Sequence, residues 1–180
     1  MSIIIPIRAK VNSEVFMKVF LIALFMVTLG LHHAAIADDD CQFDQQDQIE
    51  VLRKLQAKYK GSTLAEGERE LTINRGNSVI RFQRGGCEHL GITIKYQTTE
   101  KKDYRTKDAL FSKAGELLEE FGQEFIGIAE FKDLIKQGSF RLLQEKDPVI
   151  YSIELKRLSS VEVMYSEEGG TKVIEVGYYL

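Results

Sequence analysis

The strongest fold signal in the chain lies at residues 90–97, which read LGITIKYQ. Apolar and polar residues alternate strictly along this stretch, and the apolar series consists of Leu90, Ile92, Ile94 and Tyr96. Because successive side chains of a strand point to opposite faces of a sheet, the pattern predicts a strand with one buried and one polar face. Such strands are typical of antiparallel sheets.

Similar strand signals lie on both sides of this stretch. Glu70–Ile73 and Ser78–Gln83 precede it and alternate in the same way, so the three segments together predict an antiparallel meander. Three further segments near the C-terminus predict a second meander, with Ser139–Gln144 as a candidate additional short strand: Ile150–Leu158, Val161–Tyr165 and Thr171–Tyr179.

Three segments carry the 3.6-residue periodicity of amphipathic helices: Asp44–Lys60, Asp108–Phe125 and Ile128–Gln137. Asp44 or Asp47 can cap the first, and Gly138 follows the last. The resulting order, α-βββ-αα-βββ, predicts an α+β fold in which one antiparallel sheet carries two or three helices on one face. Each half is a helix followed by a meander, although no residues match at a fixed period.

The N-terminal segment has the features of a secretory signal peptide. Lys18 precedes the uncharged run Val19–Leu31, and Ala35 and Ala37 offer the small residues of a cleavage site. The run is shorter than the roughly 18 residues expected of a membrane-spanning helix. We therefore expect residues 1–37 to be removed on export.

The expected signal peptide bears on the start of the chain and on the composition of the part that remains after cleavage. Residues 1–16 are either a long leading region or the result of a start assigned at Met1 instead of Met17. The expected mature chain, residues 38–180, is a single domain in the periplasm or secreted, with no membrane span and with 21 basic and 26 acidic residues. That acidic balance argues against a nucleic-acid partner.

The two cysteines are Cys41 and Cys87. In an oxidising compartment an even count pairs without remainder, so we expect one disulfide between them. In the chain-entropy model this bond would contribute about 3 to 4 kcal/mol. The alternatives are a Cys87 nucleophile with His89 as its base, or a metal site, for which Cys-x-His supplies too few ligands.

The most unusual stretch is the glycine-rich loop at residues 84–91, which reads RGGCEHLG. It predicts either a plain hairpin turn or a rigid recognition loop that a disulfide would hold in shape. The candidate partner-binding residues are Arg84, Gly85, Gly86, Glu88 and His89. Glu88 and His89 would reach outward from the loop.

No catalytic, cofactor or metal motif is present in the sequence, so no residue is nominated for catalysis, for a metal or for a cofactor. We therefore expect a protein that binds another envelope protein, as an inhibitor or immunity protein of a cell-wall-acting enzyme or toxin. The alternative is a small-ligand-binding or structural envelope protein. A ligand pocket would then be lined by the rings of Phe111, Phe121, Phe125 and Phe131.

Overall fold

The structure is a computed structural model that describes residues 43–65, 67–86, 89–122, 127–156 and 160–179. Its helices are α1 (Gln45–Lys58), α2 (Lys107–Phe121) and α3 (Ile128–Lys136). Its strands are β1 (Thr63–Leu64), β2 (Glu70–Arg75), β3 (Ser78–Gly85), β4 (Gly91–Thr98), β5 (Arg141–Gln144), β6 (Val149–Ile153), β7 (Val161–Glu168) and β8 (Thr171–Tyr179).

All the strands belong to one antiparallel sheet, in the order β1-β2-β3-β4-β8-β7-β6-β5. The two meanders therefore meet at β4 and β8, where Ile94 lies opposite Val176. Both side chains are fully buried. On either side of this pair, each strand is hydrogen-bonded to its neighbour out to the edge of the sheet. Each half of the chain is a helical segment followed by a four-stranded meander.

The core lies between the helices and one face of this sheet. Leu52 and Leu55 of α1 and Leu118 of α2 are buried with the inward side chains of the strands in one apolar cluster. Burying a side chain of this size contributes about 1.5 to 3 kcal/mol. The α+β architecture expected from the sequence is thus confirmed.

The opposite face of the sheet is polar. Arg81 donates a hydrogen bond to Gln97 Oε1 at 2.8 Å and lies 3.8 Å from Glu70, while Lys95 lies 3.6 Å from Glu175. These pairs run across neighbouring strands, where side chains on the same face meet. They explain why polar residues alternate with apolar ones along residues 90–97.

The predicted number of six strands is wrong, because the described residues contain eight. Thr63–Leu64 forms a two-residue edge strand, which is too short to show alternation in the sequence. The candidate strand near residue 140 is present as β5, whereas β6 is shorter than predicted and ends at Ile153. The first helix begins as expected, since Asp44 accepts hydrogen bonds from the backbone N–H groups of Gln46 and Asp47.

Residues Asp40–Leu180 form one compact unit. The expected signal peptide lies outside the described residues and stays a prediction. None of the helices in the described ranges has the length and apolar character needed to cross a membrane.

Candidate functional site: a cationic cleft beneath the first helix

The described residues of the glycine-rich loop differ in how deeply they are buried. Arg84 lies on the inner face of β3 and is only 9% exposed, whereas His89 is exposed. Gly85 is half-buried at the end of the strand, and Gly86, just after it, is exposed. Cys41, Cys87 and Glu88 lie outside the described residues, so the expected disulfide stays a prediction.

The start of this loop has a backbone that only glycine can adopt. Gly86 has φ +139°, and a Cβ built on it would lie 1.9 Å from the carbonyl oxygen of His89. The buried side chain of Gln48 on α1 donates from Nε2 to the Gly86 carbonyl at 3.3 Å and to the Phe43 carbonyl at 3.2 Å. The first helix is therefore tied directly to the loop.

Arg84 begins a row of side chains that crosses the inner face of three strands. It lies opposite Ile92 of β4, and Ile92 lies opposite Tyr178 of β8. The stripe of α1 that includes Val51 and Leu55 borders the same space as this row. Helix and sheet thus enclose a cleft of about 400 Å³.

The cleft joins apolar walls to positive charge. Its described lining residues are Val51, Lys54, Leu55, Lys58, Arg84, Ile92, Phe121 and Tyr178. Three of these are cations and none is a carboxylate. A cavity of this size with apolar walls and a few charged groups is typical of a small-ligand site.

The two lysines lie on the exposed side of the cleft, one helical turn apart. Lys54 pairs with Glu50 at 2.8 Å, and that hydrogen bond raises the pKa of Lys54 and lowers the pKa of Glu50. Lys58 lies over the ring of Tyr59, with 5.3 Å between Nζ and the ring centroid. Both lysines are solvent-exposed.

A second row of buried side chains crosses the inner face of β7, β8 and β4. There Tyr165 lies opposite Ile174, and Ile174 lies opposite Tyr96. All three side chains are buried, and the ring of Tyr104 packs edge-on against Tyr96 at 6.3 Å.

A cluster of polar and aromatic groups supports one wall of the cleft. The Arg75 guanidinium lies over the rings of Tyr59 and Phe121, at 5.1 and 5.7 Å from their centroids. It donates to Glu120 Oε2 at 2.8 Å and also to Oε1, while the Tyr59 hydroxyl donates to Glu120 Oε1 at 2.9 Å. The cluster joins the ends of α1, β2 and α2.

Glu120→Gln removes the charge that pairs with Arg75 and is expected to lower the free energy of unfolding at pH 7. The expected loss is only about 1 kcal/mol, because the ion pair is partly exposed. Hydrogen bonds from Arg75 hold the pKa of Glu120 below its usual value, and the Tyr59 hydroxyl adds to this. The stability that this ion pair contributes is therefore present above the ordinary pKa of a carboxyl group. It is lost as the pH falls through the lowered pKa of Glu120. Urea denaturation of both proteins at pH 7 and pH 3 measures it; an undiminished difference at pH 3 would contradict this account.

Further cavities lie at the start of α1 and between α2 and α3. One, of about 290 Å³, lies beside Gly86 and Arg69, and Arg84 lines it as well as the cleft. The other, of about 520 Å³, is a groove between α2 and α3. Several charges of both signs line that groove: Asp108, Glu116, Glu119, Lys132 and Lys136.

The four phenylalanines expected to line one pocket do not lie together. Phe121 borders the cleft beneath α1, whereas Phe111 and Phe131 border the groove between α2 and α3. All three rings are buried in the core. Phe125 lies outside the described residues.

Comparison with known proteins assigns no family: no protein-family model matches the chain, and no curated protein or solved structure is significantly similar to it. Within the described ranges, no cluster of three or more His, Cys, Asp or Glu side chains could hold a metal ion. The functional argument therefore rests on the geometry of the cleft.

Most cleft residues carry no direct signal in the sequence. Lys54 and Lys58 belong to a helix with several other charged side chains, and only the fold shows which of them border a cavity. The inward position of Arg84 could be predicted from strand alternation, because Arg84 continues the buried series of Ile80 and Phe82 along β3. That alternation indicates an inward side chain, not an outward loop contact.

Proposed function

We propose that the protein is an exported binding protein that holds a small ligand with an apolar body in the cleft beneath α1. The observation that carries this proposal is a formed cleft with Val51, Leu55 and Ile92 on its walls beside the buried Arg84. Because helix and sheet both contribute walls, a ligand would need little rearrangement of the protein to bind.

Binding suits the cleft better than catalysis does. A nucleophilic mechanism needs a base within hydrogen-bond reach of the attacking group. His89, the only histidine of the expected mature chain, is exposed and is not among the described residues that line the cleft. The lining residues supply apolar contact and charge instead.

Uptake of a neutral fluorescent probe, N-phenyl-1-naphthylamine, tests the proposal. Val51→Trp places a large ring in the cleft and is expected to weaken probe binding by about tenfold or more. Ile49→Trp is the matched control, because Ile49 is half-buried on the same helix but borders the other cavity. The control should retain binding within about twofold.

Two results would refute this function. One is a wild-type protein that gives no saturable fluorescence increase with the probe. The other is equal binding by Val51→Trp and the wild type, with circular dichroism showing that both are folded. A loss of binding in the Ile49→Trp control as well would place the probe outside the cleft.

A second candidate is a protein partner, as for an inhibitor or immunity protein of a cell-wall-acting enzyme. The observation that favours it is the exposed His89 beside the fixed backbone of Gly86. Inhibition of a muramidase and an amidase by the wild type, reduced by His89→Ala, would support this function. No inhibition by the wild-type protein would count against it.

A further inference from the structure

We propose that the strand β5 is a pairing edge through which two copies of this chain associate. β5 (Arg141–Gln144) is the last strand in the order of the sheet and, among the described strands, pairs with β6 alone. All four of its residues are exposed. The outer side of an edge strand presents backbone N–H and C=O groups to which a further strand can bind.

This edge also carries exposed apolar surface. Within the described ranges, three large apolar side chains are exposed, and two of them are the adjacent Leu142 and Leu143 of β5, at 44% and 45%. The third, Tyr179, belongs to β8 in the middle of the sheet. Edge strands of monomeric proteins are commonly protected by charges, bulges or covering segments, so two neighbouring leucines on an open edge favour an association that covers them.

The charges at the two ends of β5 identify a second copy of the chain as the partner. Arg141 begins the strand, and Glu145 directly follows its last residue. When two copies of a strand pair antiparallel, the beginning of each lies beside the end of the other, so Arg141 of each copy meets Glu145 of the other. Parallel pairing would place like charges side by side. The edge is therefore self-complementary in the orientation that a twofold dimer requires.

The contacts that β5 makes within the chain limit the strength of this pairing. The register with β6 shifts between Leu142 and Gln144, as at a β-bulge, and a bulge bends the strand. Arg141 lies 3.8 Å from Glu154, but the two side chains are 69% and 75% exposed, so this ion pair contributes little and does not bury Arg141. Because only a few residues of each copy would pair, we expect a reversible dimer with a dissociation constant between about 1 µM and 1 mM.

The opposite edge of the sheet indicates that association stops at two copies. That edge is formed by β1 (Thr63–Leu64), which has only two residues and offers little backbone for pairing. An interface that uses the same edge of both copies closes on itself, whereas pairing of unlike edges would continue from copy to copy into a fibre. The unequal edges therefore favour a closed dimer.

Sedimentation velocity of the protein, from low micromolar to millimolar concentration, tests the proposal. The wild type is expected to change from monomer to dimer as the concentration rises. Arg141→Glu and Glu145→Arg each place like charges at both ends of the paired strands, and each is expected to weaken association at least about tenfold. An equimolar mixture of the two variants again has opposite charges at both contacts, so dimers that contain one copy of each variant are expected to form.

A further variant tests the apolar contact, and two controls accompany the series. Leu142→Ser/Leu143→Ser is expected to weaken association about tenfold or more. Tyr179→Ser changes the exposed aromatic residue of a central strand and should leave association unchanged. Glu154→Gln removes the neighbour of Arg141 within the same chain and should change the dissociation constant by less than about twofold, because Glu154 takes no part in the pairing.

Three results would overturn the proposal. The first is a wild-type protein that stays monomeric at every concentration, which would leave the edge to a different protein. The second is a dimer whose dissociation constant is the same in both charge variants, because such a dimer would use another surface. The third is an equimolar mixture of the charge variants that stays monomeric. If the leucine variant does not fold, the charge variants and their mixture decide the result.

Discussion

Phe82→Ala is expected to lower the free energy of unfolding by about 3 to 5 kcal/mol. Phe82 is 1% exposed on the inner face of β3, between Leu71 of β2 and Ile94 of β4 in the strand register. Its ring stacks on Phe121 with centroids 6.0 Å apart. Truncation would remove this contact and leave a cavity between the sheet and α2 that rigid neighbours cannot fill.

Urea denaturation followed by far-ultraviolet circular dichroism measures this change. Tyr179→Ala is the control, because that aromatic side chain is 63% exposed and its loss is expected to change stability by less than about 0.5 kcal/mol. A Phe82→Ala protein as stable as the control would show that Phe82 is not packed between the sheet and α2.

Gly86→Ala is expected to lower the free energy of unfolding by about 2 to 4 kcal/mol. At φ +139° the new methyl group would meet the His89 carbonyl oxygen, which belongs to the backbone and cannot turn away. The loop must therefore shift. A shift would also disturb the carbonyl that accepts the hydrogen bond from Gln48 on α1.

The control for this substitution is Gly76→Ala. Gly76 also has positive φ, at +55°, but its added Cβ would have no neighbour within 4 Å. Only the conformational preference is lost there, at a cost of about 1 kcal/mol. Equal losses of stability in the two variants, measured by thermal and urea unfolding, would contradict the steric explanation for Gly86.

The sequence predicted most of the architecture, because the alternation and helical periodicity are local signals. The alternation of residues 90–97 identifies β4, and Asp44 marks the start of α1 by its capping chemistry. The strand order could not be predicted in the same way. The pairing of Ile94 with Val176 joins residues far apart in the chain, and no local residue pattern indicates it.

The candidate site was only partly accessible from the sequence. The unusual character of the loop was visible, and Gly86 bears it out with a backbone conformation reserved for glycine. The cleft was not visible, since Lys58, Arg84 and Tyr178 come together only through α1 packing beside the β3-β4-β8 row. Likewise, the helical pattern of α2 does not indicate that Glu120 binds Arg75 from another element.

The central claim is that a ligand binds in the cleft beneath α1. The most direct measurement is the change in backbone amide chemical shifts of the ¹⁵N-labelled protein on titration with N-phenyl-1-naphthylamine. We predict saturable changes at Val51, Leu55 and Ile92 in the wild type, and a need for about tenfold or more higher probe concentration in Val51→Trp. Changes concentrated at Gly115 and Ile135, in the groove between α2 and α3, or no saturable changes at all, would contradict the claim.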